Sequence, residues 1–161
     1  MPKRAIERID ELEEVLDRVP VGILALCRGY EPYQVPVNYV YMRGRIYIHC
    51  GLKGRKLELL RQNPQVHFVA FEADPVTVSE DPCRFTQHYR SVMVSGTARL
   101  ISTDEAKREA LSALVAKYAA GEAVKPLPAG AEAGVSIIEV SPVSITGKEN
   151  YPWGARPVWD S

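Results

Sequence analysis

Residues 46–56, Ile-Tyr-Ile-His-Cys-Gly-Leu-Lys-Gly-Arg-Lys, gather the side chains of this sequence best spaced to do chemistry. An alternating apolar segment ends in His49 and Cys50, a glycine-flanked turn follows, and Arg55 and Lys56 open a helix. The first amides of a helix have no intrahelical acceptor and lie at the positive end of its dipole, so they attract anions. Two cations beside them add charge-assisted hydrogen bonds, and the result is a candidate phosphate cradle. The competing reading is a hairpin strand followed by a solvated basic helix start, and the local residues alone leave both open. His49 shares this ligand-sized space with Cys50 and the basic helix start. Histidine is the side chain that ordinarily exchanges protons near neutral pH, which makes His49 the candidate proton donor or substrate contact.

Other chemistries find little support. The sequence has no GxSxG, HExxH, P-loop or GxGxxG motif, and its histidines at 49, 67 and 88 assemble no nucleophilic triad. A metal site drawn from His49, His67, His88, Cys50 and Cys83 lacks any Cys-x2-Cys or His-x3-His spacing, so no metal is expected. Cys27, Cys50 and Cys83 form an odd set that fits reduced thiols in a cytoplasmic protein better than a disulfide framework.

The 161 residues are 46% hydrophobic, enough for one domain with a sizeable core. Twenty basic residues balance twenty acidic ones, so no strong field recruits nucleic acid or an anionic membrane surface. The longest apolar runs fall short of the roughly 20 residues that span a bilayer, and the charged N-terminus carries no signal-peptide core. We expect a single domain over residues 1–161, with 1–9 and 148–161 as terminal extensions.

The elements that must position the chemistry follow from periodicity. Leu12, Val15, Leu16 and Val19 predict a helix over 10–19, with Asp10 and Glu13 spaced as a capping box and Pro20 as its stop. Val21–Cys27 is a strand. Residues 33–42 form the next, with Tyr33, Val35, Val37, Tyr39 and Tyr41 on one face. Pro36 removes a ladder donor, so it marks an edge or a bulge, or leaves the Val37 and Asn38 amides free for a ligand. The turn Met42–Arg45 returns this strand against Ile46–Cys50 as a hairpin.

The helix after Gly54 turns Leu57 and Leu60 inward and ends at Asn63-Pro64. Residues 65–72 read as a central strand covered on both faces, and 73–88 as irregular. A long strand over 90–101 has a bend or bulge at Gly96. Ser102 and Glu105 suit a capping box for a helix over 104–118 with Leu111, Leu114, Val115 and Tyr118 as its core stripe. A loop over 119–134 leads to a final strand over 135–140, with a possible continuation to Ile145. The tail from Gly147, with Tyr151, Trp153, Trp159 and three prolines, reads as irregular. Six strands joined largely by hairpins, with few helices, predict a mainly β chain built as an antiparallel barrel or curled sheet.

Four runs in this order, 35–41 (Val-Pro-Val-Asn-Tyr-Val-Tyr), 46–50, 54–64 and 89–96, resemble the pyridoxamine 5′-phosphate oxidase-like FMN-binding split-barrel superfamily. The similarity extends from the first helix to Lys148 and is strongest to the nitroimidazole-resistance branch. The resemblance implies a six-stranded split β-barrel that forms a homodimer with two FMN sites at the interface. On it, Arg55 and Lys56 match the pair that holds the FMN phosphate. Val35, Pro36, Val37 and Asn38 match the strand along the isoalloxazine ring, and His49 and Cys50 the pair at the end of the next strand. Ser91 stands where the oxidase itself uses glutamine.

Tyr33 and Asn38 replace the basic residues that frame this strand in the oxidase. Trp153 and Arg156 only loosely match its C-terminal substrate pattern. The implied activity is therefore a flavin-dependent reduction of a small electrophile, such as a nitro-aromatic, rather than pyridoxamine phosphate oxidation. A non-catalytic protein that binds flavin or haem on the same barrel, with haem held by His49 or His67, is the alternative. A deazaflavin is a further cofactor that the barrel accommodates in related families.

Overall fold

The computed structural model describes residues 4–151. In chain order the elements are β1 (Arg4–Ile6), α1 (Ile9–Arg18), β2 (Val21–Arg28), β3 (Glu31–Asn38), β4 (Val40–Met42) and β5 (Arg45–Cys50). They continue with α2 (Arg55–Gln62), β6 (Gln65–Ala73), β7 (Tyr89–Leu100), α3 (Asp104–Ala119) and β8 (Ser136–Glu149). All eight strands belong to one antiparallel sheet in the order β3-β2-β6-β7-β8-β5-β4, with β1 added on β8. The sheet curls until β3 and β5 approach each other again, and the result is a split half-barrel.

Two strands beyond the expected six arise from identifiable residues. The predicted strand 33–42 breaks at Tyr39: β3 pairs with β2, and only β4 pairs with β5. The hairpin reading thus holds for 40–42 alone, where Arg43 and Gly44 both take the positive φ of a tight turn. The second addition is β1, which lies in the predicted N-terminal extension and pairs with Gly147–Glu149. Arg4 reaches the buried Glu149 carboxylate, which also accepts from Arg90 Nε at 2.9 Å. β8 runs on to Glu149, past Pro142 and Gly147, because its last residues pair with β7 on one side and β1 on the other. Pro142 is accommodated at the bulge where the β7–β8 register shifts beside Gly96, the position expected to bend.

The core fills the inside of the curl. Leu24, Phe68, Val92, Val94, Ile46, Ile48 and Ile138 are fully buried there, closed by Leu16 of α1 and Leu57 of α2. A smaller cluster under α3 joins Val40, Tyr47, Ile101, Ala110, Leu114 and Ile137. The apolar stripe of α1 is as predicted, but neither capping box forms. Arg8 precedes α1 without a side-chain cap and instead binds the Asp10 carboxylate, while Glu13 accepts from Tyr41 Oη at 2.9 Å. Thr103 precedes α3, also without a side-chain bond.

Two burial expectations change. β6 is central, but only Val66, Phe68 and Ala70 are buried; on its other face His67 is exposed and Phe71 is 54% exposed. On α3 the expected stripe is partial: Leu114 is buried, Leu111 and Val115 are half-buried, and Tyr118 is exposed. No helix among the described residues is long and apolar enough to cross a membrane.

Candidate functional site

The candidate phosphate cradle begins at Gly54, whose φ of 133° is a conformation that side chains disfavour. The Gly54 carbonyl accepts from the Leu57 and Glu58 amides at 3.0 and 3.2 Å, and no side chain caps the helix. The first α2 amides are therefore left for an outside acceptor. Arg55 projects back over β3, with its guanidinium 5.3 Å from the Tyr33 ring centre and ion-paired to Glu31. Lys56 is half-buried, and its charge pulls the Cys50 thiol down while burial, the larger effect, pushes it up. Cys50, Tyr33 and Val35 all pack against the main core cluster, so the end of β5, the α2 start and β3 converge.

Along β3 the side chains alternate as in any strand with one face buried. Val37 is buried and Val35 half-buried, while Pro36 and Asn38 are exposed. β3 is an edge strand, so the edge reading of Pro36 is the one the sheet adopts. Asn38 Nδ2 donates to the Pro20 carbonyl at 3.3 Å, which ties the strand end to the start of β2. His49 is exposed and lines a shallow hollow of about 230 Å³ with Leu111, Leu114, Val115 and Tyr118 of α3. Three aliphatic side chains make most of this wall, and the Tyr118 hydroxyl is engaged with backbone groups, so the hollow suits an uncharged small molecule.

Ser91 lies elsewhere. It sits on β7, donates to the Lys148 carbonyl at 3.3 Å, and faces the outside of the sheet with Phe71 as its β6 partner. Pro36 is on that same outer face, in a row that runs Pro36, Ile23, Val69, Met93, Thr146 across five strands. Three interstrand steps separate the ends of β3 and β7, roughly 14 Å at the usual spacing of about 4.8 Å. Within one chain, then, Arg55, Lys56, Cys50 and β3 come together; Ser91 does not join them, and neither does His49, which alternates with Cys50 to the other face of β5 and lies against α3.

The remaining titratable residues are placed apart from this cluster. His67 is exposed on the outer face, and Cys83 is exposed in a short turn at Pro82–Arg84. His88 bonds the Asn150 carbonyl through Nδ1 and stacks on Tyr151. All three cysteines are free. Among the described residues, no three of His, Cys, Asp or Glu are placed to share a metal ion. Trp153, Arg156 and Trp159 lie outside the described residues.

Three residues with parts in this arrangement carried no motif. Glu31 holds both Arg55 and Arg28, and the two guanidinium groups, Arg28 foremost, keep its carboxyl below the usual range. The Arg28/Glu31 pair, three residues apart in a turn, is the only part of this contact visible in the sequence. Tyr118 and Lys117, at the end of α3, act on the break between β3 and β4. Tyr118 Oη accepts from the Tyr39 amide at 2.8 Å, and its proton lies within reach of the Pro20 and Tyr39 carbonyls. Lys117 Nζ donates to the Leu16 and Val19 carbonyls at 3.0 and 2.9 Å and sits 3.9 Å above the Tyr39 ring.

A curled antiparallel half-barrel with a few covering helices is the architecture of the split barrels. The family model described as pyridoxamine 5′-phosphate oxidase matches residues 8–149, and the chain belongs to that family. A candidate 5-nitroimidazole antibiotic resistance protein from Bacteroides thetaiotaomicron superposes with a TM-score of 0.77 at 23% identity, over 92% of this chain and 87% of that one. An FAD- and haem-binding protein from Mycobacterium smegmatis gives 0.81 at 21% identity, over 97% and 78% of the two chains. A flavocytochrome from Azotobacter vinelandii gives 0.79 at 22% identity, over 97% and 73%. At these identities the likeness is one of fold. A curated uncharacterised protein of Rhizobium meliloti (strain 1021) is 33% identical over 57 residues, 35% of this chain and 37% of that protein, so the match spans well under half of either.

Proposed function

We propose that the protein is an FMN-dependent oxidoreductase that reduces a small electrophile, such as a nitro-aromatic compound, with electrons from NADH or NADPH. The observation that carries this reading is the uncapped α2 start with Arg55 and Lys56, set against the free-edge strand β3. A flavin needs a cationic anchor for its phosphate and an apolar strand along its ring, and the residues present fit both needs. When bound, FMN supplies the hydride chemistry. Arg55, Lys56 and the first α2 amides would hold its phosphate, and Val35, Pro36, Val37, Asn38 and Cys50 would contact its ring. His49, beside the apolar hollow under α3, is the proposed proton donor or substrate contact. The free thiols support a cytoplasmic location.

Ser91 belongs to this set only if a second copy supplies it, and the outer sheet face supports a homodimer. Val21 and Phe71 are 47% and 54% exposed there, beside the apolar row Pro36, Ile23, Val69 and Met93. Contiguous apolar sheet surface of this kind marks an interface.

The experiment is an absorption spectrum of full-length protein purified without added cofactor, followed by NADH and NADPH addition. Flavin bands bleached by either nucleotide are expected, and the Arg55→Ala/Lys56→Ala double variant should lose FMN. Unchanged FMN affinity in that variant would remove the phosphate anchor. Flavin bands that resist both nucleotides favour a carrier, and a Soret band favours haem.

A further inference from the structure

Arg55, the proposed phosphate ligand, already holds an anion from its own chain. Its guanidinium is ion-paired to the Glu31 carboxylate, which also accepts from Arg28 Nη2 at 2.7 Å. Glu31 opens β3 and faces Arg28 across the β2–β3 turn. These residues line a hollow of about 250 Å³ with Glu58, Leu59 and Gln62 of α2. A guanidinium binds carboxylate and phosphate through the same planar fork of donors. A phosphate drawn to the same guanidinium lies close to the Glu31 carboxylate, and the two negative charges repel, so each weakens the other's hold on Arg55. Glu58 lines the same hollow but makes no ion pair among the described residues, which gives a natural control.

Resting on the reading of Arg55 and Lys56 as a phosphate anchor, we propose that Glu31 is a built-in competitor for that anchor. Cofactor loading is then an exchange: phosphate replaces the Glu31 carboxylate on Arg55, and Arg28 retains the displaced carboxylate. Glu31 thereby sets how strongly the site prefers a phosphorylated flavin over an unphosphorylated one. Because one ion pair breaks as another forms, loading is also less sensitive to salt than a simple phosphate contact.

The test titrates FMN and riboflavin into flavin-free wild-type, Glu31→Gln and Glu58→Gln proteins at low and high salt, read by quenching of flavin fluorescence. Glu31→Gln should tighten FMN about two- to fivefold, the range of an exposed ion pair, and leave riboflavin unchanged. It should also steepen the salt dependence of FMN binding, with Glu58→Gln giving a clearly smaller gain. Equal gains in the two variants, or an equal gain for riboflavin, would overturn the proposal, because general charge or a reshaped slot would then account for them. Wild-type protein that binds FMN, with no change in Glu31→Gln, overturns the exchange alone. Protein that binds FMN in neither form overturns the phosphate anchor together with it.

Discussion

Tyr118 does with one hydroxyl what a neighbouring strand does elsewhere in the sheet. Tyr39 is fully buried at the β3/β4 break, where its amide would be stranded without that oxygen. A buried donor left unsatisfied costs about 1–3 kcal/mol. Tyr118→Phe should therefore lower stability by about that amount, read as a lower urea midpoint with an unchanged slope. Lys117 beside it is drawn by burial to about 8 from its ordinary 10.5, while Asp17 acts in the opposite direction. Between these values the folded chain has released a proton that the unfolded chain still holds, so raising the pH favours folding. The contribution is complete above 10.5 and lost as pH falls through about 8. Wild-type stability measured against Lys117→Met from pH 8 to 10.5 should show this rising difference, and a flat difference would remove the assignment. At this scale the sequence was legible where residues are adjacent: Gly54, Arg55 and Lys56 declare a basic helix start. Glu31 and Tyr118 were not legible as partners, since contacts to Arg55 and Tyr39 across 24 and 79 residues leave no periodic trace.

Elements were readable wherever one face is buried in the chain's own core. The α1 stripe, the α2 leucines and the inward residues of β6 all alternate as their periods demand. Tyr39 and Val40 hid the break in 33–42, because both are apolar and both are buried, one in each cluster. Pro142 and Gly147 hid the end of β8, because breakers in sequence become tolerated where a bulge or a close neighbour requires them. Gly96 is the clearest instance: a Cβ there would lie 2.4 Å from the Ser141 carbonyl oxygen. Since that neighbour is backbone, Gly96→Ala should cost about 1–3 kcal/mol and lower the melting temperature by several degrees in calorimetry.

For the whole molecule, the sequence showed a mainly β curl but not where its apolar surface would end. β6 looked covered on both faces because it is apolar on both, but among the described residues its outer face is left open at His67 and Phe71. If a second copy covers that face, placing a charge in the middle of the row should separate the copies. Val69→Asp is expected to sediment as a monomer and to lose FMN with it, because Ser91 and the anchor would no longer share a site. A Val69→Asp protein that remains dimeric would place the interface elsewhere. Twenty positive and twenty negative charges leave little net repulsion between copies, which suits self-association.

The hydroxyl of Tyr118 also makes the Tyr39 amide a reporter. Hydrogens held in a ladder exchange with deuterated water when strands unzip, but this one is held by a side chain borrowed from α3. Its exchange rate therefore follows the lifting of one helix from the barrel, a motion that the surrounding strands can survive. A single peptide hydrogen thus provides a clock for opening the wall beside His49.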